Sequence, residues 1–261
     1  MSDSTGITRV IAVVNDAGSA GKTTTTVTLA ALIAEAGRSV LVVDLDAQAN
    51  ATRWLGVDPD SVAAGSGAVL LKEATVAEAA VDTNTPGVKL LAGGDALKHQ
   101  RVELGRVTGP EQRLRTALRG VAVDVVLIDC QAGAGELYPL TALVAATSVL
   151  TVTLPGPKEL EGIPRVEDMI ADVADAYSPA LTLGGIVPCK VPPANRGRLY
   201  ADAVAVLREA YGALVTPVVR DSVAAVAAYD HREPLTAYAA SAPVTEDYRA
   251  VLAHLQGRGV L

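Results

Sequence analysis

Apolar residues along this chain gather in short continuous runs rich in Val, Ile and Leu, separated by longer stretches where apolar and polar positions alternate with helical spacing. The runs in TRVIAVVN (8–15), RSVLVVDLDAQAN (38–50), VKLLAGG (88–94), VAVDVVLID (121–129), SVLTVTL (148–154) and LTLGGIVP (181–188) predict strands, and a further one falls near 214–219. The intervening pattern predicts helices over TVTLAALIAEAG (26–37), closed by Gly37, and over GPEQRLRTALRG (109–120), with Pro110 in its first turn. More helices are expected near 136–146, 158–177, 196–211, 222–229 and 245–256, while VDPDSVAAGSGA (57–68) reads as a surface loop. Strands that are apolar along their whole length and alternate with helices imply an α/β fold, a doubly wound, mostly parallel sheet covered on both faces. Ligands of such sheets sit at the carboxyl ends of the strands.

Composition narrows this picture. A chain of 261 residues, half of them apolar, fits one α/β domain over 1–261. Phenylalanine is absent, so the core is built from Ala, Val, Leu and Ile, which suits close packing of helices on a sheet. LYPLTALVAATSVLTVTLP (137–155) carries no charge, but Pro139, four threonines and the turn to β-branched residues near Ser148 describe a helix followed by a buried strand rather than a membrane span. No signal peptide is visible at the N-terminus. Cys130 and Cys189 match no metal-ligand spacing and read as small buried side chains of a reducing compartment. A net charge of −7 excludes a protein that is basic all over, though not a local basic patch.

Chemistry enters at NDAGSAGKTTTT (15–26), between the first strand and the first helix. Backbone amides of Gly18, Ser19, Ala20, Gly21, Lys22, Thr23 and Thr24, aided by the positive end of the helix, converge on one anion, and the glycines let the chain come close. Lys22 adds a point charge for the outer phosphates of a nucleotide, and the Thr23 hydroxyl suits a Mg2+ ion bridging them. Two acids, Asp44 and Asp46, end the second strand, and Asp129 ends VVLI in the manner of the second motif of phosphate-loop NTPases. All of these groups fall at the carboxyl ends of predicted strands.

AVVN, GSAGKTTTTVTLA, VLVVDLDAQANAT, VVLIDC, LEG (160–162), VVRDSVAAVAAYDHREPL and YAASAPVTEDY together resemble the ParA/MinD family of deviant phosphate-loop ATPases, over nearly the whole chain and in order. Within it the chain is similar to the short ParA proteins that partition plasmids and chromosomes and lack an added helix-turn-helix domain. The resemblance implies an ATP/ADP switch with Mg2+, an ATP-sandwich homodimer, nonspecific DNA binding, and hydrolysis stimulated by a ParB-type centromere-binding protein, in the cytoplasm on the nucleoid. It assigns Lys22 and Thr23 to phosphates and metal, Asp129 to metal support, and Asp46 to the attacking water. An ordinary aspartate is a weak base at neutral pH, so orientation of that water is the role expected of Asp46. The same alignment puts the adenine near Lys190 and the segment from Pro217 to Arg220.

Several positions depart from the family pattern. Ala17 stands where a lysine normally reaches the phosphates held by the other subunit, Ser19 replaces a glycine, Asp16 brings a carboxylate near the phosphates, Ala47 replaces a proline, and QAG (131–133) replaces a proline pair. Loss of one charge-assisted hydrogen bond of this kind weakens the complex by roughly 1.5–3 kcal/mol. Two readings follow: a slow ATPase in which another cation compensates, or a nucleotide-bound scaffold without turnover. Retention of Lys22, Thr23, Asp46 and Asp129 together favours the first. DNA contacts are expected from Arg196, Arg198 and Arg220, while a second family arginine is here Ala224. The closing segment YRAVLAHLQGRGVL lacks the basic face of a MinD-like membrane helix and reads as packing against the sheet. A small-molecule enzyme on the same scaffold has no substrate motif to support it, and His99, His231 and His254 are isolated.

Overall fold

In a computed structural model of the chain, β1 (Arg9–Val14) lies inside a seven-stranded sheet of order β3-β4-β2-β5-β1-β6-β7, between β5 and β6. The structure describes residues 8–15, 20–131, 136–193 and 198–261, excluding the side chain of Pro157. Along the chain, α1 (Lys22–Glu35) leads to β2 (Val40–Leu45), then α2 (Asn50–Trp54), α3 (Ser66–Leu71), α4 (Val76–Ala79), β3 (Val81–Asp82) and β4 (Val88–Leu91). Next come α5 (Ala96–Leu104), α6 (Arg113–Ala117), β5 (Val125–Cys130), α7 (Leu137–Ala145), β6 (Ser148–Thr153), α8 (Pro157–Leu160), α9 (Gly162–Ala176) and β7 (Thr182–Pro188). The last elements are α10 (Arg198–Tyr211), α11 (Val223–Asp230), α12 (Leu235–Tyr238) and α13 (Pro243–Gly257). Every strand pair is parallel except the short edge pair β3–β4.

Continuous apolar strands feed two cores because successive side chains point to opposite faces. Ile11 and Val13 join α1 and α13 on one face, whereas Val10, Ala12 and Val14 join α3, α5, α7 and α9 on the other. Register then decides where the chemistry lies. Asp44 pairs with Asp129 across β2 and β5, and Asp129 pairs with Val13 across β5 and β1, so three strand ends meet beside the start of α1.

Four expectations need correcting. The segment 214–219 makes only isolated parallel bridges, Ile186 to Val215 and Val191 to Arg220, because Pro217 between them has no N–H to donate. The helix expected over 109–120 is a 3-10 turn, Pro110–Gln112, followed by the short α6. That expected near 158–177 divides into α8 and α9 around Glu161, and the loop expected over 57–68 contains the start of α3. Gly37 closes α1 at φ 81, with its N–H donating to Ala34 O at 2.9 Å. The charge-free stretch separates into α7 and β6, and among the described residues no helix is long and apolar enough to cross a membrane. The last helix buries Val244, Tyr248, Val251 and Leu255 against the sheet.

Candidate functional site

Gly21 adopts φ 101, a left-handed conformation that suits glycine, and turns the chain directly into α1 with no side chain capping the first amides. A 14-residue helix thus begins with its first amides and its positive pole at one point, with no side-chain cap at Gly21. The threonine run is helical because Thr25, Thr26 and Thr28 are buried, and the Thr25 hydroxyl hydrogen-bonds the Tyr248 hydroxyl of α13 at 3.2 Å. Lys22 is buried and donates through Nζ to Asn15 Oδ1 at the end of β1.

The Thr23 hydroxyl donates to Asp129 Oδ2 at 2.7 Å, while Asp129 Oδ1 is buried without a partner. Burial pushes the Asp129 carboxyl up to about 8, the charge of Asp44 adds to the rise, and Thr23 and Lys22 oppose it. An orphaned carboxylate oxygen beside a threonine hydroxyl is what a hard divalent cation would satisfy, completed by phosphate oxygens and water. No group of three or more His, Cys, Asp or Glu among the described residues could hold a metal by itself. Asp44 is fully buried; Oδ1 accepts from Asp46 N at 3.0 Å, and Oδ2 accepts from Thr52 N at 2.9 Å and Thr52 Oγ1 at 2.7 Å. Burial raises its carboxyl to about 6 against these lowering hydrogen bonds. Asp46 is half-buried and accepts from Gln48 N at 2.9 Å.

Beside Asp129 and Asp44 lies a cavity of about 370 Å³, walled by Ala20 to Thr24, Asp46, Asn50, Trp54, Lys190 and Tyr229. It adjoins a more apolar cavity of about 290 Å³ that shares Gly21, Thr24, Trp54, Lys190 and Tyr229 and adds Val219, Arg220, Ser222 and Val226. Trp54 and Tyr229 meet edge to face with ring centroids 5.3 Å apart. A third cavity, about 200 Å³, opens beside Asn15 and Ala20 and carries Lys158 and Arg165 on its wall.

Ala20, Gly21, Lys22, Thr23, Thr24, Asp46, Asp129 and Lys190 are therefore brought together. Pro217 lines neither of the joined cavities, although Val219 and Arg220 do. Gly18 and Ser19, with Asp16 and Ala17, lie outside the described residues, as does Arg196. Arg198 is exposed at the first residue of α10. Arg220 donates through both arms of its guanidinium to Asp247, at 2.6 and 2.8 Å, so its fork is closed on a carboxylate of α13. Sequence reasoning missed Asn50, Trp54 and Tyr229. The one signal available was that Trp54 is the single tryptophan of a chain poor in aromatics.

Comparison with known proteins extends the geometry. The family model described as AAA domain matches residues 8–183. The chromosome partitioning protein ParA of Caulobacter vibrioides is 33% identical over 183 residues, 69% of this chain and 68% of that protein. A structure of cobyrinic acid a,c-diamide synthase from Mycobacterium smegmatis, with bound ATP analog and magnesium, superposes with TM-score 0.76 at 31% identity, covering 90% of this chain and 97% of that one. The ATP complex of a McdA variant from Cyanothece reaches TM-score 0.86 over 96% of this chain and 97% of that one; at 18% identity the likeness is one of fold.

Proposed function

The chain belongs to the AAA-domain family of phosphate-loop ATPases that contains ParA, and from that premise we propose that it is a nucleotide-switched partition ATPase that binds Mg·ATP, pairs with a second copy, and holds DNA without sequence preference until a ParB-type centromere-binding protein promotes hydrolysis and release. It works in the cytoplasm on the nucleoid. One observation carries the nucleotide reading: Lys22, Thr23, Asp46 and Asp129, drawn from two strand ends and one helix start, converge beside a single cavity.

In this reading the first amides of α1 and the Lys22 ammonium bind the phosphates. Thr23 and Asp129 hold the cation, which when bound neutralises charge on the outer phosphate oxygens. Asp46, whose carboxylate accepts from the Gln48 amide through Oδ1, keeps lone pairs to orient the attacking water. The base takes the apolar cavity between Trp54, Tyr229, Val219 and Val226, within reach of Lys190. Lys158, on the cavity that Asn15 and Ala20 share, supplies the cation that position 17 lacks; Arg165 on the same wall already has an interaction of its own. DNA is met by Arg196 and by Arg198 at the start of α10.

Trp54, the single tryptophan, makes the test direct. Titration with Mg·ATP should change its fluorescence and release heat in a calorimeter, with ADP competing; neither signal would remove the nucleotide from the reading. Dimerisation and retention on DNA should differ between ADP and a nonhydrolysable ATP analogue, and identical behaviour with both would leave a scaffold instead of a switch.

A further inference from the structure

α2 is five residues long, and three of its side chains tie it to two places, Tyr229 and Asp44. Asn50 Oδ1 accepts from the Tyr229 hydroxyl at 3.1 Å. Thr52 donates twice to Asp44, whose other oxygen holds the Asp46 amide at 3.0 Å. Trp54 packs on Tyr229, donates its indole N–H to Glu233 O at 2.7 Å, and lines both joined cavities.

Little slack exists between these points. The Thr52 hydroxyl also accepts from Gly93 N at 2.9 Å, and a Cβ on Gly93 would stand 2.7 Å from Asp44 Cγ and from Asp46 O. The turn is closed by Ala49, which sits at φ 52 with its N–H on Asp46 O at 3.0 Å, and Arg53 N then donates to Ala49 O at 3.0 Å. A helix this short has no stability of its own, so its place is set by what holds it. Its middle residue, Thr52, is fixed on the buried Asp44 carboxylate, and its first and last residues, Asn50 and Trp54, on Tyr229 in the aromatic wall of the apolar cavity.

We propose that α2 couples recognition of the base to hydrolysis: Trp54 is a positioning residue, and a planar heteroaromatic base seated against Trp54 and Tyr229 fixes α2 and, through Thr52 and Asp44, the Asp46 carboxylate. A triphosphate without a base fills the loop but leaves Asp46 unset. This rests on the nucleotide reading above and adds that the base contributes to turnover as well as to affinity.

The test uses the full chain with saturating Mg·ATP or Mg·tripolyphosphate. Hydrogen exchange followed by mass spectrometry reads the amides of 46–53 separately from those of 21–24, and steady-state kinetics separate kcat from KM. ATP should protect 46–53 well beyond tripolyphosphate, while both protect 21–24. Trp54→Ala should remove the extra protection and lower kcat by about tenfold or more, and Trp54→Phe should restore both. Equal protection of 46–53 by the two ligands in the wild type, which needs no variant, overturns the coupling and leaves the nucleotide reading intact. So does a Trp54→Ala enzyme whose KM rises at unchanged kcat. Absence of protection at 21–24 with either ligand fells the nucleotide reading and the coupling with it.

Discussion

Thr23 and Asp129, 106 residues apart in sequence, share a hydrogen bond of 2.7 Å that fastens the first turn of α1 to the carboxyl end of β5. The bond satisfies one oxygen of a buried acid and leaves the other without a partner. Such a site is costly to the fold when empty, because a buried carboxylate without full pairing destabilises whichever state must carry its charge.

Asp129→Asn should therefore stabilise the nucleotide-free protein at pH 8 by roughly 1–2 kcal/mol, about 2–8 °C in Tm for a chain of this size. The same variant should lose magnesium-dependent ATP binding. Differential scanning fluorimetry and calorimetry together check both halves. A lower Tm in the variant would contradict the account of the orphaned oxygen.

Stability of the nucleotide-free protein should fall as pH rises. Asp44 has a native pKa raised by burial to about 6 from its ordinary value of 3.8, so below 3.8 its favourable contribution is complete. Between those values the native state holds a proton that the unfolded chain has lost, and the contribution disappears as pH passes through the native value. Asp129, raised in the same direction, extends the trend toward pH 8. Chemical denaturation across pH 5 to 8 should show a declining midpoint, with a shallower decline in Asp44→Asn.

Asp46→Ala should block phosphate release while nucleotide affinity changes by less than about threefold, because the side chain faces the cavity and holds no phosphate in the proposed arrangement. Its half-buried carboxylate accepts from Gln48 N through Oδ1, so the fold should tolerate the change. Undiminished turnover would remove Asp46 from the mechanism.

Lys158→Ala should lower kcat by roughly 10- to 100-fold, the equivalent of one charge-assisted hydrogen bond, with little effect on Tm because the side chain is exposed. Restoring a lysine at Ala17 in that background should recover part of the rate. Single-turnover assays of the three proteins decide the point.

Arg198 and Arg220 should part company in DNA binding. Arg198→Ala should reduce the slope of log affinity against log salt by about 0.9, the signature of one phosphate contact. Arg220→Ala should leave that slope alone, since its guanidinium is bound to Asp247, and should instead weaken nucleotide binding through the wall it lends to the apolar cavity.

That Asp44, Asp46, Asp129 and the start of α1 fall together was legible in the sequence because each lies at the end of a continuous apolar run, and in a parallel sheet such runs end on one edge. α2 was not, since five residues carry no measurable period, and its place depends on Asp44, Gly93 and Tyr229 from distant parts of the chain. Pro217 hid the irregularity of 214–219 inside an apolar run that otherwise has strand composition. Arg220 is exposed, as a surface cation, but its pairing with Asp247 was not legible because that partner lies on the last helix.

The position of β1 sets an order of events at the ribosome. Its neighbours in the sheet are β5 and β6, which begin near residues 125 and 148, and the Thr25 hydroxyl behind the loop waits for Tyr248. The start of α1 is synthesised before β5, β6 and α13, all of which frame it. A nascent chain thus carries Lys22 and Thr23 through the synthesis of β5, β6 and finally α13 before the surroundings that frame them are in place.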